Sequence, residues 1–255
     1  MAVIKSLIIA FSTYSKIPMP KIRWEEKNMK YAVCFFPLIG AVISAVWLGW
    51  LYLADNILQI NDPLRNSLAV LIPVLISGGI HLDGFCDITD AFSSWQPRKK
   101  KLEILKDPHV GAFAIIGCGC YLLAYYGIMG EMYGQIALVT AFGFILSRAL
   151  SALALVNFKS ARPKGMLDTF AQASHKKIVS LCCIVYLALC ITAMFLINYI
   201  YCIAALLAGA LAFWLYHHLA YKKLDGITGD MAGWFLQICE LAVPYFIVLL
   251  GQIIG

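Results

Sequence analysis

Charge is scarce in this chain. Asp, Glu, Lys and Arg together make up 13% of its 255 residues, about half the roughly 25% of a soluble domain. That scarcity excludes an ordinary soluble protein, and the 62% apolar content makes lipid the expected solvent. Gly/Ser linkers and low-complexity tracts are also missing, so residues 1–255 read as a single integral membrane domain. Nine cysteines occur, but no CxxC pair finds a matching partner. A zinc ribbon or disulfide framework is thereby excluded, and all but Cys86 fall in apolar runs as small packing residues. The basic residues form no aromatic-interleaved patch, so nucleic acid is not an expected partner. The apolar opening, up to about Phe11, is too short to span and no small-residue cleavage site follows it. It is expected to be an interfacial or re-entrant segment rather than a signal peptide.

What is present is apolar length. Seven runs can cross a hydrocarbon core of about 30 Å: roughly 32–54, 66–82, 110–128, 136–156, 179–197, 200–220 and 234–254. The fold class is therefore all-α, a polytopic helical bundle. The second run is short and Pro73 interrupts it, a kink that neighbouring helices can accommodate.

Seven spans put segments 1–31, 83–109, 157–178 and 221–233 on one side. These hold 18 of the 20 Lys and Arg. The opposite loops keep only Arg65, with Asp55, Asp62 and Glu131 as surface charges. By the positive-inside rule the N-terminus and the basic loops face the cytoplasm of a prokaryotic cell membrane. The net charge of +6 then reflects topology, membrane lipid and an anionic substrate.

The chemistry concentrates in one stretch, Gly78-Gly79-Ile80-His81-Leu82-Asp83-Gly84-Phe85-Cys86-Asp87-Ile88-Thr89-Asp90. On a helix, Asp87 lies about 40° from Asp83 and Asp90 about 20° to the other side. All three carboxylates then share a face, about 5 to 6 Å between neighbours. Such like charges need a cation among them, and oxygen ligands beside phosphates suit Mg²⁺. Phosphoryl transfer at a membrane surface is the expected chemistry. His81, two residues before Asp83, belongs with the group. The same basic side holds Arg98-Lys99-Lys100-Lys101, Lys106-Asp107 and Asp225-Gly226-Ile227-Thr228-Gly229-Asp230. Lys99 and Lys106 are candidates to neutralise phosphate oxygens, and Gly226 to admit a phosphate close to backbone. Read in isolation, Asp225-Gly226 is a turn, and Arg98–Lys101 a lipid-facing anchor. Arg148 and Glu240 lie inside predicted spans, where charge marks a cavity or a pair. Arg148 is expected to hold a phosphate, with an ion pair to Glu240 as the alternative, and Glu240 to be structural.

These residues carry a family resemblance. Phe11-Ser12-Thr13-Tyr14-Ser15-Lys16-Ile17-Pro18-Met19-Pro20, the Gly78–Asp90 block, Lys106-Asp107 with Gly111, Leu146-Ser147-Arg148 and Gly229-Asp230-Met231-Ala232-Gly233 resemble the cobalamin synthases. Those are the adenosylcobinamide-GDP ribazoletransferases of cobamide biosynthesis. The resemblance covers essentially the whole chain. It implies a Mg²⁺-dependent transferase that joins adenosylcobinamide-GDP to α-ribazole, or its 5′-phosphate, and releases GMP. Physical logic then assigns the roles: Asp83 and Asp87, with Asp90 beside them, would hold the metal, and Asp90, one of three clustered acids, is the candidate general base. Lys106, Arg148 and Lys99 would lie on phosphate oxygens, and Asp225 and Asp230 would complete metal or ribose contacts. CDP-alcohol phosphotransferases offer related chemistry, but Ile80 stands where their first Asp belongs, and no Ala-Arg follows Asp83-Gly84. A transporter would place its acids near the bilayer midplane in two repeated halves. Here they sit in loops on one side, with no internal repeat.

Overall fold

The computed structural model describes residues 2–254. Among them there are twelve α-helices and no strand; the one β element is an isolated parallel bridge between Ser160 and Ile227. Helix α1 (Ala2–Tyr14) is followed by the short α2 (Glu26–Met29), α3 (Phe36–Tyr52), α4 (Asp62–Ser77), α5 (Ile80–Ser93) and α6 (Arg98–Ile104). Then come α7 (Ala112–Ile128), α8 (Gly134–Asn157), α9 (Met166–Ala173), α10 (Lys176–Ile197), α11 (Tyr199–Leu224) and α12 (Gly229–Ile254).

Six helical stretches are long and apolar enough to cross a bilayer, and their positions match six of the seven expected runs. The seventh run, 66–82, is broken: α4 and α5 meet at 95°. The break is not at Pro73, which stays inside α4. It falls at Gly78 and Gly79, both at positive φ (70° and 78°), a backbone that side chains other than glycine rarely adopt. Helix α5, 14 residues long, extends only about 21 Å and does not cross by itself. Helix α1, with 13 residues, is likewise too short.

Helices α3, α8 and α12 form the centre, and α7, α10 and α11 turn large apolar side chains such as Leu123, Leu189 and Leu211 outward. Small residues let the central helices touch, as is usual where lipid removes any hydrophobic drive between helices. Gly40 of α3 lies against the Phe144 carbonyl of α8, and Ser44 donates to the Ala141 carbonyl at 2.6 Å.

The two ends of the bundle differ. At one end Arg65, fully buried, is held by Asp55 at 2.5 and 3.1 Å and by the Met129 and Met132 carbonyls. Asp55 is thus a structural partner, not the free surface charge expected. A buried guanidinium needs this many acceptors. At the other end the basic loops gather around α5 and the start of α12.

Candidate active site

Helices α5 and α12 cross almost backbone to backbone. A Cβ at Gly84 would lie 2.8 Å from the Asp230 carbonyl oxygen, and one at Gly233 would lie 2.9 Å from the His81 carbonyl. Two glycines therefore bring Asp83 and His81 of α5 beside Asp230, in the first turn of α12. Thr228 caps that helix, its hydroxyl accepting the Met231 N–H at 3.1 Å. Asp230 thereby sits where the helix dipole favours a carboxylate.

The loop after α8 completes the arrangement. The Ala161 N–H donates to the Ile227 carbonyl at 2.8 Å, and the Ile227 N–H to the Lys159 carbonyl at 2.8 Å. This bridge ties 159–161 to the turn before α12. It delivers Arg162 to Asp230, Nη1 to Oδ2 at 3.2 Å. Arg162 also donates to the Leu102 carbonyl at 3.2 Å.

A cavity of about 270 Å³ opens at this junction. His81, Asp83, Arg162, Asp168, Thr228 and Asp230 are among its polar walls, with Tyr14, Phe36 and Met166 among the apolar ones. His81 is 5% exposed and its Nε2 has no partner among the described residues. Burial, and then the Arg148 guanidinium, push its pKa down to about 3, so the ring is neutral and can still accept or donate one bond there.

The three aspartates do share α5, as the spacing predicts. Their surroundings differ. Asp83 is exposed in the cavity, whereas Asp87 and Asp90 are half-buried outside its lining. The Asp90 carboxyl packs on Gly111. Among the described residues no group of three or more His, Cys, Asp or Glu side chains is drawn together tightly enough to hold a metal by itself. Asp87 feels its neighbours most: burial first, then the charges of Asp83 and Asp230, raise its pKa to about 6, against the opposing pull of Arg162.

A raised carboxylate pKa means that ionisation of Asp87 opposes folding. The stabilisation is complete below the unfolded value and is lost as pH rises through about 6. Asp87→Asn should accordingly raise the melting temperature of the metal-free protein by a few degrees at pH 7.5 and leave it unchanged near pH 4. Differential scanning fluorimetry at the two pH values checks this; equal shifts at both would refute it.

Other expected site residues lie elsewhere. Asp225 leaves the cavity, held by Lys159 at 2.8 Å and Arg98 at 3.1 Å; these partners keep its carboxyl below the usual range. Two cations already satisfy it, so it is not the free acid expected. Gly226 has φ 146°, and a Cβ there would lie 2.5 Å from the Lys159 carbonyl. Its missing side chain serves the loop bridge rather than a phosphate. Lys99, Lys106 and Asp107 are exposed and do not line the cavity. Asp107 instead closes its own turn, accepting the His109 N–H at 3.0 Å.

Arg148 is the clearest correction. It is 1% exposed, bonded to Glu240 at 2.7 Å and to the Phe144 carbonyl at 2.9 Å. Ser147 adds a bond to Glu240 at 3.2 Å. At that depth a charge needs an opposite charge more than a distant substrate, and Glu240 supplies it. Sequence reasoning missed Arg162 and Asp168 altogether. Their only signal was membership of the basic segment 157–178 on the same side as Asp83.

Known proteins resemble the chain over nearly its whole length. Residues 6–248 match the family described as cobalamin-5-phosphate synthase. A protein of Lachnoclostridium phytofermentans named adenosylcobinamide-GDP ribazoletransferase is 46% identical, over 98% of this chain and 96% of its own. Proteins of the same name from Treponema denticola (32% identical, 94% and 95% covered) and Geobacillus kaustophilus (30%, 90% and 90%) are also similar. No solved structure matches the chain. With near full-length agreement on both counts, this multi-pass helical membrane protein belongs to the cobalamin-5-phosphate synthase family.

Proposed function

We propose that this chain is an adenosylcobinamide-GDP ribazoletransferase. It joins adenosylcobinamide-GDP to α-ribazole 5′-phosphate, or to α-ribazole, giving adenosylcobalamin 5′-phosphate, or adenosylcobalamin, and GMP. The observation that carries this reading is the joint cavity of α5 and α12, where Asp83 and Asp230 face Arg162. Carboxylates that would hold a divalent cation, beside a guanidinium for phosphate oxygens, suit a diphosphate substrate.

The donors fit Mg²⁺: they are hard oxygens, and Mg²⁺ needs only one or two carboxylates when phosphate oxygens and water complete its shell. Asp83 and Asp230 would hold it, with Asp87 behind them, which is why a tight three-acid cluster is not required. When bound, the ion supplies charge neutralisation to the diphosphate. Arg162 binds phosphate oxygens through its planar fork, exchanging Asp230 for substrate. The ribose hydroxyl attacks the phosphorus that carries cobinamide, the bond to the GMP oxygen breaks, and GMP leaves with that electron pair. The hydroxyl proton passes to a carboxylate of α5. Of the α5 acids only Asp83 lines the cavity; Asp90, the base expected from the sequence, lies outside it with its carboxyl against Gly111. Neutral His81 orients the hydroxyl through its unpartnered Nε2.

The distribution of basic residues supports an inward-facing site. Eighteen of 20 Lys and Arg lie in segments on the cavity's side, which by the positive-inside rule is the cytoplasm. Soluble substrates then reach the cavity without crossing the bilayer.

The test is product identification. Purified protein in liposomes with Mg²⁺, adenosylcobinamide-GDP and α-ribazole 5′-phosphate should release GMP and one new corrinoid in equal amounts. Transfer from CDP-diacylglycerol instead would overturn the assignment. In the same assay Arg162→Ala should lower kcat/KM about a hundredfold, and Arg162→Lys should recover part of it. Equal activity of wild type and Arg162→Ala would remove Arg162 from the site.

A further inference from the structure

A second cavity, of about 300 Å³, lies between the end of α5, α6 and the last turn of α11. It shares no lining residue with the first. Phe92 and Trp95 form its apolar side; Arg98, Lys101, Lys222 and Lys223 form the other. Arg98 is neutralised by Asp225. The three lysines have no carboxylate partner among the described residues. Lys101 is only 5% exposed, and the acceptor of its ammonium is the Gln96 carbonyl. Burying an ammonium without an anion is costly. Burial, then the Lys223 charge, lower the Lys101 pKa, the sign expected of a cation short of a counter-charge.

Trp95 adds an independent observation. Its side chain is 92% exposed and its φ is +53°. A bulky residue rarely takes that backbone, and such conformations concentrate at functional positions. An exposed indole beside lysines at the end of a membrane bundle sits at headgroup level.

We propose that this cavity is a phosphate-binding site at the membrane face, built by Lys101, Lys222 and Lys223 under the Trp95 indole. Two sources present that chemistry: the headgroup of an anionic lipid and a soluble phosphate or diphosphate. The cavity would take the phosphate as a point-charge cluster, since lysines rather than a bidentate arginine face it. A lipid occupant would pin the α5–α6 turn to the bilayer surface, next to the helix that carries Asp83.

Native mass spectrometry of the full chain in detergent tests this, with phosphatidylglycerol, phosphatidylcholine and inorganic pyrophosphate as probes. The variants are Lys101→Gln and the pair Lys222→Gln/Lys223→Gln. The pair lies in the last helical turn at partly or fully exposed positions, so its folding does not depend on Lys101. Each lysine near an anionic headgroup contributes about fivefold in affinity, so the pair should weaken binding about twenty-five-fold. Phosphatidylglycerol bound in preference to phosphatidylcholine, and lost in the pair variant, identifies the lipid source. Pyrophosphate bound by wild type and lost in that variant, without lipid preference, identifies the soluble source. Phosphatidylglycerol and pyrophosphate binding by the folded pair variant equal to wild type would overturn the proposal, whichever way Lys101→Gln behaves.

Discussion

Asp83→Asn is expected to abolish turnover while leaving the protein folded in its membrane. Asp83 is the one acid of the α5 triplet that lines the cavity, and it is exposed. Nothing in the fold leans on it, as it has no ion pair or side-chain hydrogen bond among the described residues. Asparagine keeps the shape and removes the charge that would hold a cation against a diphosphate. The loss should be about a thousandfold in kcat, the scale on which single electrostatic contacts to a transition state are measured. GMP release, measured beside thermal unfolding of both proteins, gives the answer. A folded Asp83→Asn enzyme with near-normal turnover would refute the ligand role.

The second large effect concerns stability. Glu240→Ala should leave the Arg148 guanidinium buried with no counter-charge and destabilise the protein by about 3 to 5 kcal/mol. For a chain of this size that lowers Tm by about 10 °C. Replacing both partners, Arg148→Met with Glu240→Met, should restore most of the loss, because an apolar pair of similar volume needs no compensation. The double variant also tests the reassignment of Arg148. If the residue only anchors the helices, turnover per folded molecule survives. A stable double variant that binds substrate poorly would return Arg148 to the phosphate.

What could be read from the sequence divides along a physical line. Helices depend on local periodicity, so six of the seven apolar runs and the placement of Asp83, Asp87 and Asp90 on one helix were legible. So was the charge asymmetry, which counts residues rather than contacts. Run 66–82 was read as one span kinked at Pro73, because a proline is a visible interruption. Two successive glycines at positive φ were the real hinge, and glycine does not announce its conformation. Contacts between loops were invisible. The bridge from Lys159–Ala161 to Ile227 joins residues more than sixty positions apart, and only that bridge puts Arg162 beside Asp230 and diverts Asp225 to Lys159. Arg148 and Glu240 were both flagged as too deep to be free, yet which helix faces meet is a packing outcome that spacing within one helix does not contain.

Family membership explains why these elements occur together, while the division of labour among them rests on the α5–α12 crossing. The most direct test of that crossing as a single site is electron paramagnetic resonance of Mn²⁺, in place of Mg²⁺, with adenosylcobinamide-GDP present. Wild-type protein should bind one Mn²⁺, and both Asp83→Asn and Asp230→Asn, on different helices, should lose it. Undiminished Mn²⁺ binding by either folded variant would contradict a shared site.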